Sequence, residues 1–166
     1  MNGSLVPVAE ATVSVFDHGL LYGDGVFEGV RFYKRRPFRL EEHLERLLDS
    51  ARAIALTLPL GLDELARAVH ETVAAFPGED GYLRVVATRG PGALGIDPKR
   101  CSGPNVFVIA DELTMIPQAT RERGARVIIA STRRLPPDGL DPRIKSLNYL
   151  NRSEERRVGK ECRLLC

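Results

Sequence analysis

Tryptophan is absent from these 166 residues and cysteine nearly so, with three. Two of the three, Cys162 and Cys166, fall in the last fifteen residues. Cys101 alone stands in the body, too little for a disulfide framework or a Cys-based zinc site there. No apolar run approaches the ~20 residues that a membrane-spanning helix needs. The opening MNGSLVPVAEATVSVFDHG has no basic segment followed by a long apolar stretch. It therefore reads as neither a secretory signal nor an Arg-rich transit peptide, and the cytoplasm is the expected compartment. An excess of one charge is also lacking, with 24 Lys+Arg against 22 Asp+Glu. The final fifteen residues hold five of those bases and three of the acids, so the preceding 151 residues are neutral. A nucleic-acid or anionic-membrane partner has no support from charge.

What is present suits a folded domain, or two small ones: 43% hydrophobic residues beside 28% charged ones. The β-branched and aromatic runs at 11–17 (ATVSVFD) and 26–33 (VFEGVRFY) predict two strands joined by the loop HGLLYGDG. Apolar residues at helical spacing from Leu40 to Ile54 predict an amphipathic helix. Leu62, Leu65, Ala66, Val69 and Val73 predict a second, ended by Pro77 and Gly78. Further strands are expected at 82–88 (YLRVVAT), 105–110 (NVFVIA) and 125–131 (ARVIIAS). A domain boundary is expected near Pro117, dividing a unit at 1–116 from a connector and second unit at 117–151.

The last stretch, RSEERRVGKECRLLC, follows abruptly on the patterned PRIKSLNYLN and has no sustained apolar face. It resembles the in-frame translation of a sequencing adapter, so residues 152–166 are expected to be a non-native tail. A natural basic tail is the plainer alternative.

Several candidate motifs lack the context their chemistry needs. Gly90-Pro-Gly-Ala-Leu-Gly95 satisfies GxGxxG, but the IDPKRCSGP after it cannot be the helix a dinucleotide site needs. His18, His43 and His70 have no metal-ligand spacing, and His43 and His70 read as solvated helix surface. No GxSxG elbow is present. Tyr82 and Arg84 lie on one face of their strand, with Leu83, Val85 and Ala87 on the other. A guanidinium fork beside a hydroxyl suits a carboxylate, although a solvent face explains the pattern equally simply. Arg46 reads as mid-helix charge. Lys145, a lone lysine in DPRIKSLNYL, becomes a usable amine nucleophile only if partly buried.

Taken in order, FDHGLLYGDGVFEGVRFY, FRLEEHLERLLDSA, YLRVVATRGPGALGIDP and RIKSLNYLN resemble the class IV (fold-type IV) pyridoxal-phosphate aminotransferases. The branched-chain amino-acid aminotransferases are the most similar members. The resemblance runs from about Ala11 through Asn151. It implies an α+β architecture: the N-terminal α/β sandwich domain of that fold, then the opening of the larger pseudo-barrel domain that binds the cofactor. It further implies that Lys145 is the lysine that condenses with the pyridoxal 5′-phosphate aldehyde and then carries the Cα proton. Arg46 matches the guanidinium on the cofactor phosphate, and Tyr149 the tyrosine that approaches the cofactor's phenolic oxygen. Tyr82 and Arg84 match a Tyr-x-Arg strand lining the substrate pocket, and Tyr22 and Phe27 match wall residues that favour an aliphatic side chain.

The implied reaction exchanges an amino group between L-Leu, L-Ile or L-Val and 2-oxoglutarate, in a homodimer. D-amino-acid aminotransferase and aminodeoxychorismate lyase are the rivals within the fold, and a non-enzymatic oligomerisation or binding fragment is the rival outside it. The family's acidic partner for the pyridine nitrogen comes after the Lys145 block, and no Asp or Glu of 152–166 takes that role. The 166 residues alone are therefore expected to be inactive.

Overall fold

The computed structural model describes residues 1–113, 118–124, 129, 135–136, 139 and 141–150. Two compact units divide the chain: Met1–Glu112 with Arg143–Leu147, and Leu113–Pro142 with Asn148–Cys166. The first holds a four-stranded antiparallel sheet in the order β2-β1-β3-β4, made of β1 (Gly25–Tyr33), β2 (Arg36–Pro37), β3 (Gly81–Thr88) and β4 (Asn105–Asp111). It also holds α1 (His18–Tyr22), α2 (Leu40–Ala53) and α3 (Leu62–Ala75). In the second unit, α4 (Gln118–Arg123) is the described helix. Among the described residues, no helix is long and apolar enough to cross a membrane.

Strand parity and helix periodicity meet in one core. Val26, Val30 and Phe32 alternate along β1, and Leu83, Val85 and Ala87 along β3, all 0% exposed. Leu44, Leu47 and Ala51 of α2 and Leu65, Val69 and Val73 of α3 join them in the same cluster. Burying each large aliphatic side chain contributes about 1.5–3 kcal/mol, which overrides the weak intrinsic preference of any one segment. Lys34 and Arg35, both at positive φ, make the tight turn between β1 and β2. The Arg35 guanidinium donates to the Val73, Ala74 and Phe76 carbonyls and so closes the C-terminal end of α3.

Two expectations fail at the front of the chain. Residues 11–17 form no strand; Asp17 makes only an isolated bridge with Pro91. One edge of β1 is taken by β3, and on the other β2 takes Phe32–Tyr33 and residues 145–147 meet Gly25–Phe27, which leaves this β-branched run only a short stretch of β1 edge. Val13, Val15 and Phe16 stay exposed. The HGLLY part of the expected loop is a helix, α1, because the Asp17 carboxylate accepts the Gly19 N–H at 2.7 Å. Gly23, at φ +68°, ends it. The expected strands at 82–88 and 105–110 and both long helices are present. GPGALG is a loop with bridges at Pro91 and Gly92, followed by a single 3-10 turn at Pro98–Arg100, and no dinucleotide helix. The expected strand at 125–131, the Pro117 boundary and the tail at 152–166 fall outside the described residues, apart from Ile129.

Candidate active site

β1 is the axis of the site because its two faces carry different chemistry. Phe27 and Gly29 have the opposite parity to Val26, Glu28 and Val30, so they face away from the core. The register sets Phe27 opposite Val86 and Gly29 opposite Arg84. Tyr82 lies over Gly29 so closely that a Cβ there would overlap the phenolic oxygen. A side chain at that position would push the Tyr82 ring aside.

Lys145 reaches this face through backbone pairing over a long sequence separation. Phe27 N–H donates to Lys145 C=O at 2.9 Å, Leu147 N–H donates to Gly25 C=O at 2.9 Å, and Ser146 bridges Val26. From α2, the Ser50 hydroxyl oxygen accepts the Lys145 N–H at 3.2 Å. Three residues are thus pinned by an isolated antiparallel bridge and its flanking bonds on a part of the β1 edge that β2 leaves open. The Lys145 Nζ stands 4.8 Å from the Phe27 ring centroid, and the Arg84 Cζ stands 3.8 Å from it. Both cations meet the negative face of one ring that is 3% exposed.

On the core side of β1 a second cluster forms around Glu28, which is 0% exposed. Its carboxylate accepts from Arg46 Nε at 2.5 Å and from Arg46 Nη2 at 2.8 Å. His43 Nδ1 lies 2.9 Å from Oε2, and the ionised carboxylate makes that nitrogen the donor. Burial pushes the Glu28 carboxyl up. The hydrogen bonds from Arg46 and His43, with the charges of Arg46 and Lys145, outweigh it and leave the group below the usual carboxylate range. Arg46 itself is 52% exposed at its side chain.

Of the residues expected from sequence, Phe27, Tyr82, Arg84 and Lys145 share one sheet face, and Arg46 stands on the helix side with Glu28 between it and β1. Tyr22 lies on α1, where its hydroxyl accepts the Gly95 N–H at 2.9 Å and its ring meets His18 edge-on. Tyr149 is half-buried and belongs to the second unit. His43 departs from the expectation of solvated surface: it is one turn before Arg46 on α2 and aims at Glu28. Glu28 went unnoticed in the sequence. The signal was there, a lone glutamate at the parity of Val26, Val30 and Phe32 in an otherwise apolar series.

The loop before β1 supplies scaffolding. The buried Asp17 carboxylate also accepts from Thr88 Oγ1 and Asn105 Nδ2, each at 2.8 Å. Arg89 clamps Asp24 through two bonds of 2.9 Å and donates to the Ile54 and Ala55 carbonyls. Arg46 and Lys145 bear on Glu28, and Arg84 meets Lys145 at the Phe27 ring; two guanidinium groups and a primary amine form a donor set that fits an anionic, aldehyde-bearing ligand.

A family model described as amino-transferase class IV matches residues 25–158. A Methanocaldococcus jannaschii protein provisionally named a branched-chain-amino-acid aminotransferase is 50% identical over 151 residues, which cover 91% of this chain and 51% of that protein. The solved T.th. branched-chain amino acid aminotransferase, complexed with N-(5′-phosphopyridoxyl)-L-glutamate, superposes with a TM-score of 0.83 at 36% identity, over 93% of this chain and 51% of the other. The Escherichia coli branched-chain amino acid aminotransferase gives 0.87 at 30% identity, over 95% and 55%. The chain spans between about a quarter and just over half the length of the curated relatives it matches.

Proposed function

This chain belongs to the class IV aminotransferases, and from that premise we propose that its protein is a pyridoxal-phosphate-dependent branched-chain amino-acid aminotransferase with Lys145 as the catalytic amine. The observation that carries the reading is the Lys145 backbone paired to β1, with its Nζ on the ring that also receives Arg84. Bound pyridoxal phosphate would supply an aldehyde for a primary amine and a ring that accepts the electron pair left when a Cα proton departs.

The chain's own residues do the rest. Lys145 would offer the amine to the aldehyde and would hold and move a proton at Nζ. Arg46 would hold the phosphate, and Tyr149 would face the phenolic oxygen. Arg84 offers its fork to the substrate carboxylate beside the Tyr82 hydroxyl, while Phe27 and Tyr22 line the space for an aliphatic side chain. L-Leu, L-Ile and L-Val with 2-oxoglutarate are the proposed substrates, and a cytoplasmic homodimer is the proposed form.

Borohydride reduction of the protein with pyridoxal phosphate, followed by peptide mapping, is expected to label Lys145; a label on another lysine defeats the reading. Steady-state kinetics of the whole protein, rather than of these 166 residues alone, with paired L- and D-amino acids are expected to favour L-leucine over D-alanine by at least about a hundredfold, the scale of a site built for one ligand geometry. Turnover of D-alanine alone would move the protein to the D-amino-acid branch. Light scattering at the mass of two chains checks the dimer.

A further inference from the structure

Building on the reading of Arg46 as the phosphate clamp, we propose that Glu28, steadied by His43, is the positioning residue that sets the Arg46 guanidinium for a phosphate-bearing cofactor. Glu28 sits where β1 otherwise places Val26, Val30 and Phe32, each 0% exposed. An apolar residue of similar volume serves a core at least as well as a buried ion pair, so packing alone gives no reason for a carboxylate there. Its geometry gives one. Oε1 takes Arg46 Nε and Oε2 takes Nη2, the two-pronged arrangement that fixes a guanidinium plane.

The long Arg46 side chain is thereby oriented before any ligand arrives, which removes an ordering cost from binding. At 52% exposure the same group still presents surface outward. His43, three residues earlier on α2, bonds Oε2 from the same helix face and keeps the carboxylate from turning. Both Arg46 and Lys145 lie near enough to act on Glu28, two positive charges to one negative, so the Glu28–Arg46 pair leaves a positive charge for an anion.

The test compares pyridoxal phosphate with pyridoxal, which lacks the phosphate, as ligands of the wild-type protein and of Glu28→Gln, Arg46→Ala and the double variant. Glu28→Gln is expected to weaken pyridoxal phosphate about tenfold, the scale of one charge-assisted hydrogen bond, and pyridoxal by less than about twofold. Adding Glu28→Gln to Arg46→Ala is expected to cost nothing further. His43→Gln, which removes the imidazole bonded to Glu28 Oε2 but keeps a side-chain N–H donor, is expected to give a smaller loss of the same phosphate-selective kind.

Without any ligand, the Arg46 Nε–H resonance is expected to be slow to exchange with water in the wild type and fast in Glu28→Gln. Equal weakening of both ligands, or unchanged exchange, overturns the positioning role. If Arg46→Ala abolishes the phosphate preference while Glu28→Gln keeps it, the positioning role alone falls. If Arg46→Ala keeps the preference, the clamp reading falls and takes this inference with it.

Discussion

Glu28 shows what one residue costs and returns. A buried carboxylate without a partner is several kcal/mol unfavourable, and here Arg46 and His43 hydrogen-bond it while Arg46 and Lys145 lend charge. Because its folded value lies below its ordinary 4.5, the unfolded chain binds the proton first as the pH drops. Stability from this group is therefore complete above 4.5 and disappears as the pH falls through the lowered folded value. Urea unfolding near neutral pH should find Glu28→Gln less stable than wild type by about 1–2 kcal/mol, the worth of a charge-assisted hydrogen bond. The gap should narrow at pH values below 4.5. A gap that stays constant or widens in acid would mean that ionised Glu28 contributes nothing to folding.

At the scale of elements, α2 links the core to both sides of the site. Leu44, Leu47 and Ala51 pack inward, and His43, Arg46 and Ser50 follow at the three- and four-residue steps that keep them along the edge of that stripe. Ser50 is 3% exposed and accepts the Lys145 N–H, so Ser50→Ala leaves that donor without its acceptor. The expected loss is about 1–2 kcal/mol, with faster hydrogen exchange at the Lys145 amide and little change at Leu47, deep in the same helix. Exchange at Lys145 equal to wild type would show that α2 does not fix the segment.

The helix itself was legible from its apolar period, and so were β1, β3 and β4 from alternation or β-branched runs, because those patterns follow from backbone geometry. The face shared by Tyr82 and Arg84 was legible for the same reason. The strand expected at 11–17 was misread because β-propensity says nothing about whether an edge is available. His43 and Glu28 were missed because an ion cluster joins residues on a strand and a helix that no local period connects.

The molecule as a whole adds a link that no single element contains. Residues 143–147 belong to the same compact unit as residues 1–112, though 30 residues of the second unit intervene. Closing so long a loop is entropically costly, but the cost grows only slowly with length. Here the closure is offset by the bonds Phe27 N–H to Lys145 C=O, Leu147 N–H to Gly25 C=O and Lys145 N–H to Ser50. A chain ended at Glu112 keeps the whole of the sheet and the α2–α3 layer, so it should fold, but with the 25–27 part of β1 as an open edge. At about 1 kcal/mol per net hydrogen bond, it should be less stable than the 166-residue chain by about 2–3 kcal/mol before the loop cost is returned. Native-state hydrogen exchange gives the sharper reading: the Phe27 amide should lose its protection while the Val85 amide, inside the β1–β3–β4 ladder, keeps its own. Were Phe27 equally protected in both chains, Lys145 would not be anchored to β1, and its approach to the Phe27 ring would have no structural cause.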